Sequence, residues 1–147
     1  MSSKEKLIDE AKRKANNFIV PLKDNRDKAD RNRSLTSSQL RKFFGEVKRL
    51  HMKYNILLTS IKKNEKSKDN IVKKNAFKEI ETMLALIVAN ARYTYSRGKI
   101  PKGFYEFLET EIKAIDNAEK FEDFVKYFEA VVGHYYFIAK EKGLKLD

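Results

Sequence analysis

Apolar residues recur every three or four positions along most of this chain, which is the spacing of one face of an α-helix. No stretch shows the apolar–polar alternation, bounded by turn residues, that is typical of a half-buried strand. Only two prolines and five glycines interrupt the pattern. The sequence therefore predicts an all-α protein, a compact antiparallel bundle of about five helices.

The first predicted helix runs from about Lys4 to Ile19 and is ended by Pro21. The polar segment that follows, LKDNRDKADRNRS, predicts a linker or mobile loop. We therefore expect an N-terminal helix with a charged linker, residues 1–33, and a helical bundle, residues 34–147. The first helix can pack on its own bundle or on a neighbouring copy. Its apolar face consists of Leu7, Ile8, Ala11, Ala15 and Phe18.

The second helix is predicted to begin within the stretch LTSSQL. Thr36 is a favourable N-cap, and Gln39 stands three residues later, as a capping box requires. Leu35 and Leu40 occupy the two positions of a hydrophobic staple. The apolar stripe consists of Leu40, Phe43, Phe44, Val47, Leu50, Tyr54, Leu57, Leu58 and Ile61, and the polar segment KKNEKSKDN ends the helix.

Three further helices are predicted. The third runs from about Asn70 to Ser96, Gly98 is suited to its C-cap, and Pro101 is suited to the start of the fourth. The fifth ends near Gly143. The apolar stripe of the third helix consists of Ala76, Phe77, Ile80, Met83, Leu84, Ile87, Val88, Ala91 and Tyr95.

The net charge of +11 is distributed unevenly along the chain. Residues 23–102 carry 21 basic and 8 acidic side chains, whereas residues 103–147 carry 6 basic and 10 acidic ones. A strongly basic middle favours a surface that binds a polyanion such as RNA. A lysine-rich surface that only keeps the protein in solution is the alternative.

The chemistry of most enzyme classes is missing from the sequence. There is no cysteine, which excludes disulfides, thiolate nucleophiles and cysteine-based zinc sites, and suits a reducing cytosol. The two histidines, His51 and His134, are far apart, and packing roles are favoured for both. We predict no catalytic residue, metal or cofactor, although a metal-independent ribonuclease that uses one histidine and a lysine stays open. The longest apolar run, MLALIVA, is far shorter than the roughly 20 residues of a membrane span, so we expect a soluble cytoplasmic protein.

The second helix has one nearly pure basic face. Five cations lie away from its apolar stripe on a helical wheel: Arg41, Lys48 and Arg49 opposite it, and Lys42 and Lys53 on one flank. Glu46 is the only acidic residue between Arg41 and Lys53. A solubilising face normally mixes charges of both signs, so this one favours phosphate binding.

Additional candidates lie at the end of the third helix. Arg92 and Arg97 can bind phosphate or complement the helix dipole. Leu86 and Tyr93 lie off the main stripe, where they can stack on a base or pack on another protein, and protein contact is favoured. No motif that reads base sequence is present, so the residues predict binding to the nucleic-acid backbone.

Three segments, LTSSQLRKFFGEV, ANARYTYSRGK and FEDFVKYFEAVVGHYYF, together resemble the small helical subunit of the type III-A CRISPR–Cas (Csm) interference complex. The resemblance covers about residues 34–139, and the first 33 residues add nothing to it. It implies a non-catalytic subunit whose copies stack along a filament loaded with CRISPR RNA, beside the backbone subunits and under the large palm-domain subunit.

The resemblance also implies contact with CRISPR RNA and, mainly, target RNA. Arg41 carries over through the QLR motif, and Arg97 through YTYSR. Lys42, Lys48, Arg49 and Lys53 follow from the helical face rather than from a motif. An assembly module that touches only protein is the alternative, with Leu86, Tyr93 and the first helix as its contacts.

Overall fold

The computed structural model describes residues 2–64 and 69–146, without the side chains of residues 61–64. In this part of the chain there are five α-helices and no strand, which confirms the all-α fold class. The helices are α1 (Ser3–Asn16), α2 (Ser37–Asn64), α3 (Asp69–Ser96), α4 (Lys102–Lys113) and α5 (Ala118–Glu141).

Aromatic contacts between the helices show how the bundle is arranged. Phe44 in α2 packs on Phe128 in α5, and Tyr54 packs on Phe121, so α2 and α5 run antiparallel. α3 lies antiparallel to both α2 and α4. α1 runs parallel to α5. Leu7 of α1 lines one groove with Asp123 near the start of α5, and the Phe18 ring just after α1 lies 5.9 Å from the Tyr135 ring near the end of α5.

Most predicted apolar positions are buried or half-buried. Leu7 and Ile8 are 41% and 38% exposed, and Leu7 lines an open groove between α1 and the start of α5. Tyr95 of α3 is 37% exposed and stacks on Tyr105 of α4. Met83 of α3 is 37% exposed at another groove. The side chain of Ile61 and residues 65–68 of the predicted polar segment lie outside the described residues.

The connection between α1 and α2 folds back on the bundle. The Val20 amide donates to Ser34 Oγ at 2.8 Å, and the Asp30 amide donates to the Val20 carbonyl at 2.7 Å. The Ala29 amide donates to the Lys142 carbonyl at 3.0 Å, beyond the end of α5. These bonds satisfy backbone groups that an irregular segment would otherwise leave to water. They hold α1 against α5 of the same chain.

Candidate nucleic-acid interface

The start of α2 is fixed by a cap and by the core. Thr36 Oγ1 accepts a hydrogen bond from the Gln39 amide at 3.2 Å, as the capping prediction requires. The reciprocal half of the capping box does not form, because Gln39 Oε1 is buried without a hydrogen-bond partner among the described residues. Leu35 and Leu40, on either side of the cap, are both buried in the core. The rotation of α2 about its axis is therefore set by its first turn.

That rotation exposes the five cations predicted for α2. Its core positions Phe43, Val47 and Tyr54 are fully buried. The exposed basic residues are Arg41, Lys42, Lys48, Arg49 and Lys53. The structure thus places these side chains on the outside of the bundle, where they can reach a polyanion.

The basic residues divide between the two neighbours of α2. Lys48 Nζ lies 5.5 Å from the centroid of the Phe44 ring, which packs on α5 through Phe128. Lys53 points the other way, with its Nζ 3.8 Å from Met83 Sδ of α3. Arg49 lies on this α3 side as well. The predicted single face is therefore a broad basic surface, with one side toward α5 and the other toward α3.

The side of this basic surface toward α3 borders a groove of about 480 Å³ between α2 and α3, here called the α2–α3 groove. It combines basic, acidic, amide and apolar side chains, namely Glu46, Arg49, Lys53, Met83, Leu86 and Asn90. Asn90 Nδ2 donates to Glu46 Oε1 at 3.5 Å, so the single acid of the basic face has a partner across the groove.

Arg97 lies on the same side of α3 as the groove. Residues 86, 90, 93 and 97 follow one another at helical spacing and share one face of α3. The Arg97 guanidinium lies 5.5 Å from the centroid of the Tyr93 ring, and Nη1 lies 3.5 Å from the Tyr93 hydroxyl. The antiparallel register set by Lys53–Met83 brings this end of α3 level with the start of α2. Arg97 therefore extends the basic surface along the helix pair.

Arg92, the other arginine near the end of α3, faces α4 instead. Its Nη2 donates to Glu109 Oε1 at 2.6 Å, and its Nε donates to the Tyr105 hydroxyl at 3.2 Å. The Tyr105 hydroxyl, the Arg92 guanidinium and the Lys113 ammonium lower the pKa of Glu109 to about 2. Arg92 thus bonds α3 to α4 and does not lie on the basic surface of α2.

The two histidines lie apart in the fold. The half-buried His51 of α2 packs on Phe121 near the start of α5, with ring centroids 5.9 Å apart. His134 lies 13 residues further along α5. A helix rises about 1.5 Å per residue, so roughly 20 Å separate the two imidazoles. They cannot act together as acid and base on one bond.

Three residues on the α3 side of the groove are not predicted to belong to one site. The apolar pattern places Met83 in the core stripe, Leu86 is predicted to contact another protein or a base, and no pattern singles out Asn90. Their common signal is the helical spacing of residues 83, 86 and 90, which marks the flank of α3 next to its buried stripe. Only the packing of α3 on α2 shows that this flank meets the basic residues.

In the described part of the chain, no group of three or more histidine, aspartate or glutamate side chains has the arrangement of a metal site. None of the helices there combines the length and the apolar character that a membrane span requires.

Comparison with known proteins identifies the family. Residues 5–141 match the sequence profile of the family described as Csm2 Type III-A, and this match extends through α1, which the resemblance noted from the sequence did not include. Neither the curated proteins nor the solved structures contain a significant match. Because the family match spans nearly the whole chain, the protein belongs to the Csm2 family and is a small subunit of the type III-A CRISPR–Cas Csm complex.

Proposed function

We propose that this subunit is non-catalytic and binds the backbones of CRISPR RNA and target RNA in the cytoplasm. The residues that make this contact are Arg41, Lys42, Lys48, Arg49, Lys53 and Arg97. In this proposal the bound RNA belongs to an effector complex that serves antiviral defence. Copies of the subunit stack along the filament, beside the backbone subunits and the large palm-domain subunit.

The observation that carries the proposal is the composition of the exposed side of α2. Between Arg41 and Lys53 it presents five cations and one acid, and Asn90 already bonds that acid. Cations that neutralise phosphates release condensed counterions, which supplies much of the free energy of RNA binding. Such contacts are made to the RNA backbone and do not depend on base identity.

A charge-reversal variant tests the proposal. Arg41→Glu, Lys48→Glu and Arg49→Glu together should weaken binding of a single-stranded RNA at low salt at least tenfold, whatever its sequence. The slope of log affinity against log salt should fall by about 2, since each lost phosphate contact removes about 0.7. Fluorescence anisotropy of a labelled oligonucleotide measures both quantities.

The matched control changes the net charge by the same amount at other exposed sites. Lys12→Glu, Lys126→Glu and Lys140→Glu, on α1 and α5, serve this purpose. The control should lose only the part of the RNA affinity that depends on the net charge of the whole protein. If the α2 variant bound RNA as tightly as the parent, or no more weakly than the control, the assignment of the face would be wrong.

Exposed apolar residues favour a second candidate, an assembly module that contacts only other subunits. Met52 and Ile56 on α2 and Phe137 on α5 are each more than 60% exposed. Side chains of this size commonly mark protein interfaces when they form patches. Crosslinking within the assembled complex separates the two candidates, because crosslinks from α2 to RNA support the first and crosslinks to protein alone support the second.

A further inference from the structure

The α2–α3 groove contains a hydrogen-bonding pair that phosphate binding does not need. Glu46 and Asn90 both line the groove, and the bond from Asn90 Nδ2 to Glu46 Oε1 uses one carboxylate oxygen. Both carboxylate oxygens can still accept, because Oε1 has a second lone pair beside its bond to Asn90 and no hydrogen bond to Oε2 is seen among the described residues. An acceptor pair of this kind can read the edge of a nucleobase.

The walls of the groove suit the faces of a base. Leu86 is 63% exposed and Met83 is 37% exposed, and both side chains line the same groove as Glu46. Arg49 and Lys53 stand on its α2 side. The groove volume of about 480 Å³ lies within the range of about 300–1,000 Å³ that is typical of small-molecule sites. An apolar wall on α3, an acceptor pair and two cations match the face of a base, its edge and its phosphates, respectively.

We propose that the α2–α3 groove binds one unstacked base of single-stranded RNA and prefers guanine. The base packs against Leu86 and Met83, and its Watson–Crick edge donates to Glu46. Arg49 and Lys53 bind the phosphates on either side. This inference rests on the RNA-binding function proposed above and adds a base contact to it.

Guanine is preferred because of the donors on its edge. Its N1–H and N2–H groups point the same way and can both donate to one carboxylate, whereas adenine and cytosine present a single amino donor beside an acceptor. Uracil presents one N–H between two carbonyl oxygens, and a carboxylate repels both of these oxygens. A two-donor contact of this kind typically discriminates against the wrong base by fivefold or more.

A nucleotide fits the groove better than an apolar segment of a protein partner does. An apolar side chain placed over Glu46 and Asn90 would remove water from the carboxylate without replacing its hydrogen bonds, which is costly. A base removes the same water and supplies donors in its place. The cations at the α2 side also attract the phosphates that a base carries with it.

The test compares two short RNAs, an oligouridine and the same oligouridine with three separated guanines, bound to the full chain at low salt. The parent should bind the guanine-containing RNA about five- to tenfold more tightly. Glu46→Gln should bring this ratio close to one, even though removing a negative charge raises the affinity for both RNAs. Leu86→Ala should weaken the guanine-containing RNA most. Ile71→Ala, which truncates an exposed residue 15 positions away on α3, should leave the ratio unchanged.

The outcomes separate this inference from the proposed function. If the parent does not distinguish the two RNAs while the Arg41, Lys48 and Arg49 charge reversal weakens both, the groove contacts no base and backbone binding stands. If the parent binds neither RNA, both proposals fail. If Leu86→Ala leaves both RNA affinities intact and instead reduces assembly with the other Csm subunits, the groove is a protein contact and the inference is overturned.

Discussion

The Tyr135 hydroxyl of α5 donates a hydrogen bond to the carbonyl of Leu35, the residue just before the N-cap of α2. Both residues are buried, so this bond fixes the entry of α2 from within the core. Burial raises the pKa of Tyr135 far above its ordinary value, which keeps the hydroxyl protonated as the donor. The entry of α2 is thus tied to a residue 100 positions away in the sequence.

Tyr135→Phe should lower the free energy of unfolding by about 1–3 kcal/mol, because it leaves the buried Leu35 carbonyl without a donor. For a chain of this size, that corresponds to a melting temperature lowered by roughly 3 °C per kcal/mol. Tyr136→Phe is the matched control, since the described structure shows no hydrogen bond from the Tyr136 hydroxyl. Equal melting temperatures for the two variants would contradict the importance of this bond.

Gly103→Ala should destabilise the protein by about 1–3 kcal/mol in urea unfolding. A Cβ atom at Gly103 would lie 2.0 Å from the Asn17 carbonyl oxygen, so the end of α1 or the start of α4 would have to move. Gly133→Ala, in the middle of α5, meets nothing within 4 Å and should stabilise by about 0.5–1 kcal/mol through helix propensity. Destabilisation of similar size in both variants would show that the close approach at Gly103 does not matter.

The stabilisation that comes from Glu109 should depend on pH. Its pKa is about 2 in the folded protein and near the ordinary 4.5 in the unfolded chain. The contribution is therefore fully present above about pH 4.5 and is lost as the pH falls toward 2. Glu109→Gln should melt at a lower temperature than the parent at pH 7, and the difference should shrink between pH 4.5 and 2.

The control for this effect is Glu106→Gln, which removes the exposed pair with Lys102 on the same helix. An exposed pair one turn apart contributes little to stability, so this variant should melt close to the parent at pH 7. A constant difference between parent and Glu109→Gln over the whole acidic range would be inconsistent with the proposed network around Glu109.

The purified protein should leave a labelled RNA at full length, with or without added Mg²⁺, and His51→Ala and His134→Ala should do the same. The distance of roughly 20 Å between the two imidazoles excludes a pair of histidines acting on one phosphodiester, and the two single substitutions test the alternative of one histidine with a lysine. Gel electrophoresis of the labelled RNA measures this directly. Cleavage by the parent that either substitution abolished would establish the ribonuclease alternative instead.

Helices and their faces could be predicted because their determinants are local. The staple, the N-cap and the apolar stripe of α2 all lie within a few turns of one another, so periodicity alone placed Phe43 inside and Arg41 outside. The start of α4 directly after Pro101 could also be predicted, because proline is favoured at the beginning of a helix. The division of the chain at residue 33 stays a prediction.

The partners of each exposed side chain could not be predicted in the same way. Arg92 and Arg97 look alike in the sequence, yet Arg92 bonds Glu109 of α4 while Arg97 lies over Tyr93. Met83 fits the apolar stripe of α3, yet its sulfur lies beside Lys53. Each of these outcomes depends on which helix lies alongside and at what register.

The sequence by itself therefore determined the helices, the basic side of α2 and the family resemblance, because a 3.6-residue period and short motifs are properties of neighbouring residues. The tertiary structure alone decided that Arg49 and Lys53 share a groove with Leu86 and Asn90. It also decided that Arg92 pairs with Glu109 of α4 and does not lie on the basic surface. The physical reason is that contacts between helices depend on how their ridges pack against each other, and no single helix encodes that register in its own period.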